Sequence, residues 1–120
     1  MDALKYTGTE DTPNITLDKG NGTFEISGRS LPEDAAHYYN PVIEWLDNYA
    51  KAPNETTSFV VKLEYFNTAS SKMILDVLMK LEEIKNTNVK WYYDKEDEDM
   101  QEAGTEFSEL ISVPFEIITL

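Results

Sequence analysis

Three stretches of the chain carry residues that could do chemistry. The first is Asn67-Thr68-Ala69-Ser70-Ser71-Lys72, a run of hydroxyls lying between a strand-like and a helix-like pattern. The first turn of a helix has unpaired backbone N–H groups and the positive end of the helix dipole. A phosphate on one of these hydroxyls would therefore be tolerated there and would place a new charge at the end of a sheet. The same residues also suit a plain helix cap, the commoner use of Asn, Thr and Ser in this position. The second stretch, Asp94 to Glu102, holds six acids. It lacks glycine at the sixth position of a calcium loop begun at Asp94 or Asp97, and a solvated acidic face is its simpler explanation. The third is the single histidine, His37, which sits inside a helical pattern with no motif around it and so supports neither a triad nor a multi-histidine metal site.

Other chemistries are excluded by composition. With no cysteine there are no disulfides, thiolate metal sites or cysteine nucleophiles. Neither a phosphate-binding loop nor a dinucleotide fingerprint occurs, and Gly20-Asn21-Gly22 opens no helix. Net charge is −13, with Arg29 the sole arginine, which disfavours nucleic acid and acidic lipid surfaces and suits solubility or a basic partner protein. The polar opening Met1–Glu10 does not resemble a signal peptide, and no apolar run spans a bilayer. Sequons at Asn14, Asn21 and Asn54 are then coincidental, and a cytoplasmic location is expected. No catalytic constellation emerges, and no cofactor is implied.

The elements that must position these residues follow from periodicity. Asn14–Asp18 and Thr23–Ser27 alternate and are joined by a glycine-containing turn, predicting a hairpin; Leu4–Tyr6 is a candidate edge strand. Ser30-Leu-Pro-Glu-Asp34 is a helix-start signal, with Ser30 as a capping candidate followed by Pro and two acids in the first turn. The helix it opens runs to about Lys51 with Tyr38, Val42, Trp45, Leu46 and Tyr49 on its buried face, and Pro41 is expected to kink or split it near Asn40. A central strand follows, with Phe59, Val61, Leu63 and Tyr65 on one face. The next helix, Lys72 to Lys85, carries a stripe of Met73, Ile74, Val77, Leu78, Leu81 and Ile84. Val89–Tyr93 is a strand, the last helix buries Met100, Ala103, Phe107 and Leu110, and Ser112–Leu120 closes the chain as a strand with Phe115 and Ile117 on one side. The expected fold is a single α/β domain over residues 1–120, β-β-α-β-α-β-α-β, with a mixed, mostly parallel sheet of about five strands and three helices.

A phosphorylatable Ser or Thr that begins a helix after a central strand is also the arrangement of STAS-type anti-sigma-factor antagonists, an analogy of fold that makes such an antagonist one alternative. A small metal-dependent enzyme using the acidic run is another. A closer likeness exists. Leu63-Glu-Tyr-Phe-Asn-Thr-Ala-Ser-Ser-Lys72, Val89-Lys-Trp-Tyr-Tyr with its acidic tail to Gly104, Gly28-Arg-Ser-Leu-Pro-Glu33 and Trp45 resemble the SiaC family of bacterial regulatory phosphoproteins. The resemblance covers nearly the whole chain and implies a STAS-like, non-enzymatic partner switch. A dedicated kinase would phosphorylate a threonine, a PP2C-type phosphatase would reverse it, and the unmodified form would bind and activate a GGDEF-type diguanylate cyclase in cyclic-di-GMP signalling and biofilm control. By motif the phosphoacceptor falls on Thr68, with Asn67, Ser70 and Ser71 as secondary acceptors or helix caps.

Overall fold

The computed structural model describes residues 1–120. Its elements are β1 (Leu4–Tyr6), β2 (Asn14–Asp18), β3 (Thr23–Ser30), α1 (Ala35–Tyr49), β4 (Thr57–Phe66), α2 (Thr68–Leu81), β5 (Thr87–Tyr93), α3 (Glu98–Leu110) and β6 (Phe115–Thr119). The sheet has six strands in the order β1-β2-β3-β4-β5-β6, not about five, because Leu4–Tyr6 pairs antiparallel with β2. The β2–β3 hairpin is antiparallel and the four strands from β3 to β6 run parallel. Gly22, at φ 67°, makes the hairpin turn, and Asp18 accepts from the Asn21 N–H, which holds its carboxyl below the usual range.

All three helices cover one face. Phe24, Ile26, Phe59, Val61, Val89 and Trp91 point to that side through matching registers and are buried. Phe24 packs on Trp45 and Tyr49 of α1, while Trp91 packs on Phe107 of α3. The stripe Met73, Ile74, Val77, Leu78 and Leu81 of α2 closes the same core. The other face is uncovered and polar: Lys62 lies 3.6 Å from Glu25 and 5.1 Å from the centre of the Tyr92 ring.

Several local expectations give way to tertiary context. Helix α1 is capped by Asp34, whose carboxylate accepts from His37 N–H at 3.0 Å, and Ser30 is instead the buried last residue of β3. Pro41 does not split α1; the carbonyl it leaves free belongs to exposed His37, where water can reach it. Of the adjacent pair Tyr38 and Tyr39 on α1, Tyr39 is the fully buried one, while Tyr38 is half-buried and donates to the Pro13 carbonyl at 2.8 Å. Helix α2 starts four residues before Lys72 and ends before Ile84, which is buried beyond it. On α3 Gly104 takes the inward position, and Leu110, the last residue of the helix, is exposed while the following Ile111 is buried.

The largest departure is in β4. Gly28 pairs with Leu63 but Arg29 pairs with Tyr65, so Glu64 is an extra residue, a β-bulge. One inserted residue reverses the side every later side chain takes. Tyr65, expected inside, is therefore 47% exposed under the Arg29 guanidinium, 5.4 Å from its ring centre, and Phe66 turns inward onto Trp91 and Phe107. Gly28 beside the bulge adopts φ 92°, a conformation that favours glycine.

Candidate functional site

Parallel strands β3, β4 and β5 end on the same side of the sheet, and each runs into a helix there. Asp34, Asn67 and Asp97 cap those helices, accepting from the N–H three residues on at 3.0, 2.8 and 3.0 Å. This rim lies at the carboxyl ends of the parallel strands. The bulge at Glu64 and the start of α2 both lie on it.

Asn67 ends the strand in an extended conformation (φ −88°, ψ 176°) and supplies the cap through Oδ1. Its N–H donates to the Ser30 carbonyl at 3.0 Å, and its carbonyl accepts from Ser71 N–H at 2.9 Å. Thr68 is thus the first residue of α2, not its cap. It is exposed, and the cap does not use its hydroxyl. Ala69 is exposed and Ser71 half-buried. Ser70 is different: it has no exposed surface, and its Oγ accepts from Ser30 Oγ at 2.9 Å. Ser30 Oγ also lies 2.6 Å from the Tyr39 hydroxyl. Burial pushes the Tyr39 phenol up to about 12, outweighing the opposing hydrogen bond with Ser30.

The sequence brought Asn67, Thr68, Ser70 and Ser71 together and separated none of them in kind; the structure orders them by access. It also adds Ser30 and Tyr39 to the cluster. A signal for Tyr39 was present, since Tyr39, Val42, Leu46 and Tyr49 fall at i, i+3, i+7 and i+10, as good a helical stripe as the one beginning at Tyr38. For Ser30 there was none, because its partner Ser70 is 40 residues away.

The acidic run forms the loop before α3 and its first turn. With Arg29, Lys62 and Glu64 it borders an open groove of about 760 Å³. Asp94 and Asp97 spend an oxygen each on the N–H groups of Glu96 and Met100. No three His, Asp or Glu side chains converge to hold a metal ion. No helix is long and apolar enough to cross a membrane.

Fold and site together define a small α/β domain that presents an exposed threonine hydroxyl at a helix mouth on the rim of its sheet. The description "SiaC family regulatory phosphoprotein" belongs to a family pattern that matches residues 6–120. The chain is a member of the SiaC family of regulatory phosphoproteins. An uncharacterized protein of Pseudomonas aeruginosa (strain UCBPP-PA14) is 32% identical over 121 residues, covering 98% of this chain and 96% of that relative. Apo-SiaC from Pseudomonas aeruginosa superposes with a TM-score of 0.89 at 31% identity, over 98% of this chain and 99% of its own. SiaC in the crystal structure of the diguanylate cyclase SiaD with its activator SiaC, also from Pseudomonas aeruginosa, gives 0.90 at 31% identity, over 98% and 99%.

Proposed function

We propose that the protein is a non-enzymatic cytoplasmic switch with STAS-like logic, in which reversible phosphorylation of Thr68 controls binding to and activation of a diguanylate cyclase. A cognate kinase adds the phosphate and a PP2C-type phosphatase removes it. The cyclase as target is inferred from the SiaD–SiaC complex, whose SiaC shares 31% of its sequence and the same fold over nearly its whole length. The observation that carries the switch is Thr68 itself, exposed in the first turn of α2 with its hydroxyl free of the cap, while Ser70 is enclosed.

A phosphate brings about −1.5 to −2 charges. Against a net −13 the global change is small, so the effect is local to the helix mouth. A partner packed over unmodified Thr68 would have to desolvate the phosphate or give up the contact. To switch binding off, the modification must cost the complex roughly 3–5 kcal/mol, a hundred- to several-thousand-fold in affinity. Burying an uncompensated doubly charged group reaches that range.

The test uses intact-mass measurement and a binding assay with the host's GGDEF-type cyclase. Thr68→Ala should bind and activate the cyclase while taking no phosphate from the kinase, and phosphorylated wild type should bind at least about a hundredfold more weakly. Phosphate uptake by Thr68→Ala equal to wild type would move the acceptor elsewhere; equal cyclase affinity of the two wild-type forms would end the switch.

A further inference from the structure

The hydroxyls at the mouth of α2 differ in access for a reason that lies in the core. We propose that Tyr39, Ser30 and Ser70 form a buried hydroxyl bridge that selects the phosphoacceptor, withholding Ser70 from a kinase and fixing the first turn of α2 so that Thr68 is the hydroxyl offered. The proposal rests on Thr68 being the acceptor and says what makes it so.

The direction of the bridge follows from its proton count. Ser30 has one hydroxyl proton and gives it to Ser70 Oγ at 2.9 Å. The 2.6 Å contact between Ser30 and Tyr39 must then be made by the tyrosine proton. The bridge therefore runs Tyr39 to Ser30 to Ser70 and joins α1, the end of β3 and the first turn of α2. All three residues have no exposed surface, and no buried side-chain polar atom in the protein lacks a partner.

Helical geometry converts this anchor into a choice. Successive residues turn by about 100°, so a residue two before Ser70 points about 200° away from it. With Ser70 held against Ser30, Thr68 faces solvent and Ser71 falls between, in agreement with their burial. Phosphoryl transfer from ATP forms a bond between the acceptor oxygen and the γ-phosphorus and breaks the γ-phosphorus bond to the bridging oxygen. The hydroxyl proton passes to a base of the kinase, and ADP leaves. Thr68 Oγ1 can enter that geometry without disturbing the core. Ser70 Oγ can do so only by leaving Ser30, which strands a buried hydroxyl on β3 and unwinds the capped turn.

Two measurements test the bridge, and the first needs no kinase. Amide hydrogen exchange is compared in wild type, Tyr39→Phe, Ser30→Ala and Ser30→Thr. Removing either hydroxyl should speed exchange at the bonded amides of Ser70 and Ser71 by about tenfold relative to the rest of α2, and Ser30→Thr, which keeps the hydroxyl, should restore it. Unchanged exchange, or a rise spread evenly over the chain, overturns the proposal. In the second, the cognate kinase and ATP are given to Thr68→Ala alone and combined with Tyr39→Phe or Ser30→Ala, and the sites are mapped by peptide mass. Phosphate should appear on Ser70 only where the bridge is cut; its absence from Ser70 in both combined variants overturns the selection. Phosphate uptake by Thr68→Ala alone at the wild-type level would instead sink the Thr68 assignment, while the exchange result would still decide whether the bridge holds the turn.

Discussion

Trp91 and Gly104 touch face to backbone: a β-carbon placed on Gly104 would lie 2.6 Å from Trp91 Cδ1 and 2.8 Å from Nε1. The same indole N–H donates to the Met100 carbonyl at 3.0 Å. One side chain of β5 thus fixes α3 both by a hydrogen bond and by requiring a glycine one turn further on. In an exposed helix, Gly→Ala stabilises by about 1 kcal/mol. Here the overlap with a fully buried ring outweighs that gain, and Gly104→Ala should destabilise by roughly 1–3 kcal/mol. Urea denaturation gives the sign directly, and a gain in stability would mean that α3 can move off the indole freely.

The bulge at Glu64 predicts unequal costs at two adjacent aromatics. Phe66 sits among Trp91 and Phe107, so Phe66→Ala should lose about 2–4 kcal/mol. Tyr65 is 47% exposed, and Tyr65→Ala should lose under about 1 kcal/mol. Plain alternation from Phe59 would give the reverse order, so the two melting points decide whether the strand changes phase at Glu64.

That strand illustrates what the sequence carried and what it did not. Phe59, Val61 and Leu63 announce their face by alternation, and they are buried as expected. The change of phase after Leu63 has no local signal, because the extra residue is accommodated by Arg29 and Gly28 on the neighbouring strand. Leu4–Tyr6 was visible only as a candidate, since three residues are too few to display a period. At the site, the hydroxyl cluster and the helix start were legible from composition and spacing. The exact first turn was not, since Asn67, Thr68 and Ser70 are all acceptable caps and only tertiary packing chooses Asn67. Ser30 shows the limit most clearly: a serine before Leu-Pro-Glu-Asp looks like a cap, yet the fold uses it as the middle of a buried bridge.

Tyr39 makes the alkaline limb of the stability curve predictable. Its phenol is pushed up to about 12 from 10.0, chiefly by burial, so the fold favours the neutral form. The stability this represents is complete below pH 10, where the unfolded chain also keeps the proton. It is lost as pH rises from 10 through about 12, because only the unfolded state then ionises. The total is roughly 2–3 kcal/mol at about 1.4 kcal/mol per pH unit. Tyr39→Phe should be about 1 kcal/mol less stable at pH 8, for want of the bond to Ser30, and should fall less steeply above pH 10. Denaturant midpoints of both proteins from pH 8 to 11.5 would show the curves converging; parallel curves would mean that the phenol titrates alike in both states.

Asn67 separates the two things the mouth of α2 must do. Its Oδ1 satisfies the Ser70 N–H at 2.8 Å, and Asn67→Ala should cost about 1 kcal/mol. Asn67→Asp keeps that acceptor and adds a negative charge where the helix dipole favours one, so it should match or slightly exceed wild type in thermal stability. The same charge, however, would stand one residue from a phosphate on Thr68. Phosphorylation of Asn67→Asp should therefore be slower than in wild type, by a factor that shrinks as salt is raised from 50 to 500 mM, since screening weakens exposed like-charge repulsion. Asn67→Ala carries no added charge, so its phosphorylation rate should show none of that extra salt dependence. Equal thermal losses in the two variants would mean that the cap works through the amide nitrogen and not through Oδ1. If salt failed to rescue Asn67→Asp, the carboxylate would be acting on the kinase contact and not on the charge that arrives at Thr68.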